Sequence, residues 1–107
     1  MNALVETRIV NIVMTADLKQ PVDIIASGKM KYFTYDSEKY RGRVAYFKSA
    51  DVIGKVSIFS SGKMISVGSK NPHDAFRNLE LAAESLLNDG IINSAPVLET
   101  LVASFPS

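Results

Sequence analysis

The residues best suited to contact a ligand lie in one short stretch, SIFSSGKMISVGSK, residues 57–70. It reads as two strands joined by a tight turn, in which Gly62 supplies the positive φ that such a turn needs. Phe59 stands just before the turn, although polar residues suffice at a hairpin tip in water. Three more residues follow at alternate positions and share one face of the second strand: Lys63, Ile65 and Val67.

Catalytic and metal-binding residue types are scarce. The chain has no cysteine, which excludes disulfides and thiolate metal sites. Its single histidine, His73, falls in the first turn of a predicted helix and is interpreted as a solvated residue. The sequence contains no nucleophile elbow, no phosphate-binding glycine loop and no paired carboxylates in a plausible pocket. We therefore expect no enzyme, no metal and no cofactor.

The chain has 47% hydrophobic residues and a net charge of +1. Its length and hydrophobic content predict one domain over residues 1–107. The opening MNALVETRIV lacks the features of a signal peptide, and no apolar stretch approaches the length of a membrane span. A soluble cytoplasmic protein is expected. Charge is unevenly distributed: residues 29–70 hold nine bases and three acids, whereas the remainder holds three bases and eight acids. This segregation fits an anionic partner and an ordinary solvated surface about equally well.

The order of predicted elements is strand, helix, four strands and a long helix. The first strand covers residues 7–17 and is apolar on both faces, and a short helix over residues 20–29 follows with Pro21 in its first turn. The next strands are KMKYFTYD, RGRVAYFKS and the two arms of the hairpin. Short links favour an antiparallel sheet of five strands with both helices on one face. This is an α+β fold whose other face is apolar and free to form an interface.

The long helix is predicted over residues 71–90. Asn71 suits its N-cap, Pro72 its first position and Gly90 its end. Glu80 and Glu84 lie on its outer side. An apolar stripe at helical spacing should face the sheet: Phe76, Leu79, Ala82, Ala83, Leu86 and Leu87.

Three stretches together resemble one repeat of the TATA-box-binding protein family. RIVNIVMTADL resembles the first strand of a repeat, IFSSGKMISVGSK its hairpin and last strand, and NPHDAFRNLELAAESLLNDGI its long helix. The likeness spans residues 8–92 and implies a curved sheet, a half-saddle, with both helices on its convex face. Family chains carry two repeats, and residues 97–104 resemble the first strand of a second one, with Thr100 where the family has asparagine. The chain is thus either a fragment or a single-repeat protein whose last strand completes its own sheet or a partner's.

The resemblance implies that Phe59 is a wedge that enters a base step and kinks DNA, and that Tyr40 stands in the place of a second wedge phenylalanine. It implies that Asn11 donates to acceptors of the A·T minor groove, where Val13, Ile65 and Val67 lie against base edges. From the residues alone, Asn11 paired within the sheet and an apolar face covered by protein are equally open readings. Val67 and Ser57 depart from the threonine and leucine usual in the family. Basic side chains would meet phosphates: Lys63 and Lys70, and also Lys39, Arg41 and Arg43.

These residues predict a DNA-binding protein of archaeal or related transcription initiation that binds and bends A·T-rich minor groove. Half a saddle leaves a sheet edge unpaired, so a homodimer is expected. Transcription factor B and a nucleoid-associated location follow from the resemblance. The alternatives are a single-repeat module for dimerisation or protein interaction, and an accessory domain of the kind that precedes one class of ribonuclease H.

Overall fold

A computed structural model describes residues 10–38, 42–48, 54–94 and 99–106 of the protein. These residues form one antiparallel sheet with two helices on one face. The elements are, in chain order, β1 Val10–Asp17, α1 Ile24–Ser27, β2 Phe33–Tyr35, β3 Val44–Phe47, β4 Lys55–Phe59, β5 Lys63–Ser69, α2 Pro72–Asn88 and β6 Glu99–Pro106. The predicted α+β fold is confirmed.

The strand order across the sheet is β2-β3-β4-β5-β1-β6, and every neighbouring pair is antiparallel. The described sheet therefore has six strands instead of the five expected. The additional strand, β6, pairs with β1 along its whole length, from Val10 opposite Pro106 to Asp17 opposite Glu99. The edge of β1 that a half-saddle would leave open is thus occupied by the chain's own last strand, and the outer edge of the sheet is now β6.

The register of β6 decides which way its side chains face. Thr100 lies opposite Ala16, and directly opposed residues of an antiparallel pair share a face. Ala16 is buried under the helices, so Thr100 lies on the helix side, whereas Asn11 lies on the other. Thr100 therefore does not repeat the position of Asn11.

The β4–β5 hairpin turns where the sequence predicts it. Gly62 has φ 98° and donates its N–H to the carbonyl of Phe59 at 2.9 Å. The turn is held by the segment after β1, because Leu18 N–H donates to the Gly62 carbonyl at 2.9 Å and Val22 N–H donates to the Ser60 carbonyl at 3.0 Å. The hairpin tip is consequently anchored to the body of the molecule.

A bulge interrupts the pairing of β1 with β5. Ile12 lies opposite Ser69 but Met14 lies opposite Ser66, so β5 has one extra residue at this point. Gly68, at φ 94°, provides the backbone conformation that the bulge requires. The bulge changes which residues of β5 face the helices, from Met64 and Ser66 before it to Ser69 after it, whereas β1 keeps its alternation.

The hydrophobic core lies between the sheet and the two helices. It unites the alternate, even-numbered residues of β1 with the inner faces of β3, β4 and β5 and with both helices. Ile58, Met64, Leu79 and Leu86 are among its fully buried side chains. On the described residues the core is thus one-sided, and the opposite face of the sheet receives no helix.

α2 begins and ends as its sequence predicts. The Asn71 side chain accepts from the Asp74 N–H at 2.9 Å, Pro72 is the first residue, and Gly90 follows the last turn at φ 76°. The predicted apolar stripe is wrong at one position, because Phe76 is 37% exposed. Asn78 is buried instead and donates to the Ser69 hydroxyl at 3.1 Å. A polar contact between helix and sheet thus lies within the buried side of α2, beside the predicted apolar stripe.

Two further predictions on element bounds need correction. α1 begins at Ile24, not near Pro21, because the Asp23 carboxylate caps it by accepting from the Ala26 N–H at 3.0 Å. Only residues 33–35 of the second predicted strand pair with β3. Phe33 is buried on the helix side and Thr34 is exposed on the other, which settles the face that the sequence left open.

Candidate nucleic-acid interface

The side of the sheet away from the helices carries half-buried and exposed side chains, apart from the fully buried Val44 opposite Phe59, and we call it the open face. On β1, Ile12, Met14 and Ala16 are at most 5% exposed on the helix side. The alternate residues Asn11, Val13, Thr15 and Asp17 are only half-buried. On β4 and β5 the open face carries Lys55, Ser57, Phe59, Lys63, Ile65 and Val67.

Strand register assembles the middle of this face into one row. Thr34 lies opposite Tyr46, Tyr46 opposite Ser57, Ser57 opposite Ile65, and Ile65 opposite Thr15. Strands lie about 4.8 Å apart, so this row of uncharged side chains extends roughly 19 Å across the described sheet. A surface of that length and polarity suits an elongated ligand with an uncharged floor.

A cleft of about 800 Å³ opens beside the hairpin. Phe59, Lys63 and Ile65 all line it, so these residues lie close together. Phe59 is half-buried, and its register partner Val44 is fully buried. Arg43 also lines the cleft and is exposed. An aromatic ring and two cations therefore converge on one concave surface.

Asn11 is held by the bulge. Its Oδ1 accepts from the Gly68 backbone N–H at 3.0 Å. Because a backbone N–H can only donate, this contact assigns the oxygen of the side chain to the sheet and leaves the NH₂ group as the one that a ligand would meet. The two readings of Asn11, as a residue paired in the sheet and as a donor to a ligand, are thus compatible.

The remaining predicted site residues divide into two groups. Val13 on β1 and Val67 on β5 lie at the bulge and are half-buried on the open face. Lys70 is exposed between β5 and the N-cap of α2. Tyr40 lies outside the described residues, as do Lys39 and Arg41. The geometry therefore brings together Phe59, Lys63, Ile65, Val67, Val13 and Asn11.

Sequence reasoning missed three residues of this face. Lys55 and Tyr46 are neighbours there, with the Lys55 Nζ 4.0 Å from the centre of the Tyr46 ring. Side chains alternate between the two faces along β4, so the sequence could have placed Lys55 on the same face as Phe59. Tyr46 could be placed only from the pairing of β3 with β4. Asp17 also lines the cleft, and its Oδ1 accepts from the Lys19 N–H at 2.9 Å. A carboxylate at this point weakens the attraction of the cleft for anions.

Two further observations on the described chain concern metal ions and membranes. No group of three acidic or histidine side chains there could hold a metal ion. Neither described helix has the length and apolar character needed to cross a membrane.

The open sheet, its two helices on one side and the hairpin with an aromatic residue at its tip define a fold of the saddle-repeat class. Residues 6–88 match the family model described as transcription factor TFIID, or TATA-binding protein. The chain belongs to the TATA-box-binding protein family. This is a family of transcription factors and not of enzymes, in agreement with the sequence-based expectation.

Individual relatives support this assignment. The TATA-box-binding protein of Cenarchaeum symbiosum is 37% identical over 100 residues, which are 91% of this chain and 55% of that protein. The protein of that name from Archaeoglobus fulgidus is 34% identical over 90 residues, 81% of this chain and 48% of its own length. Among solved structures, Methanococcus jannaschii TBP superposes with a TM-score of 0.72 at 20% identity, over 89% of this chain and 53% of that one. The chain spans about half the length of the relatives it matches.

Proposed function

We propose that this chain is a DNA-binding protein of the TATA-box-binding type, which holds A·T-rich minor groove on its open face and bends it during transcription initiation. The observation that carries the proposal is the row of uncharged side chains across the open face, with Phe59 at the cleft beside it. Phe59, Ile65 and Val67 add apolar area to this face, and an exposed apolar patch on a protein surface marks an interaction site.

Hydrogen-bond chemistry supports an A·T-rich site. The minor groove of A·T pairs presents only acceptors, the N3 of adenine and the O2 of thymine. Asn11 offers its NH₂ group there because its oxygen is bound to Gly68. Val13, Ile65 and Val67 surround it with apolar contact area, which suits an A·T groove that lacks the guanine amino group.

Bending is assigned to Phe59. An apolar wedge that enters a base step unstacks it at a cost of a few kcal/mol, and the kinked duplex then contacts more protein surface. Phe59 lies at the cleft beside the hairpin turn, and that turn is anchored to residues 18–22 by backbone hydrogen bonds. A wedge needs such a rigid base. Tyr40 is proposed as the second wedge from the family resemblance.

Electrostatic attraction comes from exposed bases around the open face. Lys63 is the first residue of β5, Lys70 directly follows its last residue, and Arg43 lines the cleft. Their contacts with phosphates would add affinity that falls with salt and carries little sequence information.

A homodimer is proposed on the outer edge of β6. Val102 is 54% exposed on the helix side of β6. The segment TLVASF carries no charge, and long uncharged edge strands tend to pair with another strand. Two copies joined there about a two-fold axis would make one continuous sheet. Transcription factor B and a nucleoid-associated location are proposed on the family resemblance alone.

The test is a short duplex labelled at both ends with a donor and an acceptor dye, in A·T-rich and G·C-rich versions. Titration with the wild-type protein should show tighter binding to the A·T-rich duplex and a rise in energy transfer as the ends approach. Phe59→Ala should remove the rise in energy transfer more than it weakens binding. Equal binding to both duplexes with no bend would reject the proposal.

The second candidate function is a protein-interaction module without specific DNA binding. The exposed Val102 and the uncharged edge of β6 favour it, since they suit a protein strand better than a phosphate backbone. Self-association that persists at high salt, in a protein with no preference among duplexes, would support this candidate instead.

A further inference from the structure

Lys55 and Tyr46 form a pair on the open face that the family resemblance does not assign. Tyr46 lies opposite Ser57, and Lys55 is two residues before Ser57 on the same strand, so the two are diagonal neighbours. The Lys55 ammonium lies 4.0 Å from the centre of the Tyr46 ring. The lysine therefore leans from β4 over β3, away from its own register partner Val67 on β5.

The ring orients the cation without neutralising it. A cation over an aromatic face is attracted by the quadrupole of the ring, which favours one direction of a long side chain. No described acidic side chain forms an ion pair with Lys55. Its positive charge and N–H donors thus remain available to an anion.

The position of the pair suits a backbone phosphate. Base edges would rest along the row that crosses the sheet through Ser57 and Ile65, and Lys55 lies two residues from Ser57 along β4, about 7 Å to one side of that row. The minor groove is about 6 Å wide in an undistorted duplex and is bordered by the two sugar–phosphate strands. One of those strands would pass beside the row, on the side where Lys55 lies, and reach the ammonium.

We infer that Lys55, held over the Tyr46 ring, donates to a phosphate oxygen of the duplex backbone and so forms a phosphate contact separate from Lys63 and Lys70. This inference rests on the proposed function, because it requires a duplex on the open face. The contact would position the duplex and add affinity, but it would not read sequence.

The test compares the salt dependence of binding among matched variants. The wild type, Lys55→Gln, Lys55→Arg and Lys31→Gln are titrated with the A·T-rich duplex between about 50 and 200 mM salt. Lys31 is the control, because it is an exposed lysine whose Nζ lies 5.2 Å from the ring centre of Tyr32, outside the open-face strands. The binding constant K falls as salt rises, and Lys55→Gln should make the slope of log K against log salt less negative by about one. Lys55→Arg and Lys31→Gln should leave it unchanged.

Tyr46→Leu gives a second readout. It removes the ring but keeps an apolar side chain. As a single substitution it should weaken duplex binding, and when added to Lys55→Gln it should weaken binding little further. Thermal melting of each variant confirms folding. An unchanged slope in Lys55→Gln, with normal binding by the wild type, would overturn the inference and leave the proposed function intact. Absence of duplex binding by the wild type would overturn both.

Discussion

The side-chain oxygen of Asn11 accepts a hydrogen bond from the backbone N–H of Gly68 at 3.0 Å, across the bulge between β1 and β5. The contact joins residues that are 57 positions apart in the sequence. It gives the asparagine a single orientation before any ligand arrives. A fixed donor loses less entropy on binding than a mobile one.

Two substitutions at Asn11 should separate its structural role from its binding role. Asn11→Asp keeps an oxygen for Gly68 but loses the NH₂ donor and adds a negative charge. It should leave the free energy of unfolding within about 1 kcal/mol of the wild type and lower affinity for the A·T-rich duplex by about tenfold or more. Asn11→Ala should also lower stability, because the Gly68 N–H loses its partner. Denaturant unfolding and duplex titration measure the two effects, and equal affinity of Asn11→Asp and wild type would contradict this role.

Ile58 and Phe59 are adjacent in β4 but serve opposite faces. Ile58 is fully buried beneath the helices, so Ile58→Ala should lower the free energy of unfolding by about 2–5 kcal/mol. Phe59→Ala should cost less, because the ring is only half-buried. Chemical denaturation of both variants checks the order of the two costs. A larger loss for Phe59→Ala would mean that the ring is a core residue and not a wedge.

Gly62 and Gly90 both have positive φ, but their surroundings differ. A β-carbon on Gly62 would collide with the backbone carbonyl of Gln20, whereas a β-carbon on Gly90 would meet no atom within 4 Å. Gly90→Ala should therefore cost only the conformational strain, about 1–2 kcal/mol, and Gly62→Ala distinctly more. Thermal unfolding of the two variants measures the difference. Equal losses of stability would show that the segment around Gln20 moves aside with little cost when a methyl group is added at position 62.

Val102 should control self-association if β6 is the dimer edge. Val102→Lys places a charge on the exposed helix side of β6, where a continuous two-copy sheet would bury it or bring it near its symmetry mate. Sedimentation of the wild type should show a dimer, and the variant should sediment as a monomer with unchanged melting behaviour when dilute. Thr34→Lys is the control, because Thr34 is exposed in β2 at the other end of the sheet. Dimers that survive Val102→Lys would place the interface elsewhere.

Local signals made much of the fold predictable. The bounds of α2 follow from Asn71, Pro72 and Gly90, each of which acts within its own turn of chain. The β4–β5 hairpin likewise follows from the glycine of its turn. The short helix was misplaced because Asp23 is a stronger N-terminal signal than Pro21.

Features set by distant partners were not predictable in the same way. Asn78 is buried because Ser69 lies beneath it on the sheet, and no helical periodicity of apolar residues contains that information. Thr100 faces the helix side because of its register with β1, and a shift of one residue would reverse every side chain of β6. The pair of Lys55 and Tyr46 required the register of β3. The candidate site was predicted best where its residues share one strand or hairpin.

The buried apolar residues of the described core all lie between Ile12 and Ile92, within the span of one repeat. A unit that closes its own interior is suited to duplication. A second copy fused in tandem would keep its own packing and would share only a ladder of backbone hydrogen bonds. A protein of twice this length therefore requires no new solution to the problem of burying side chains, and the two halves can diverge in sequence with little constraint on one another.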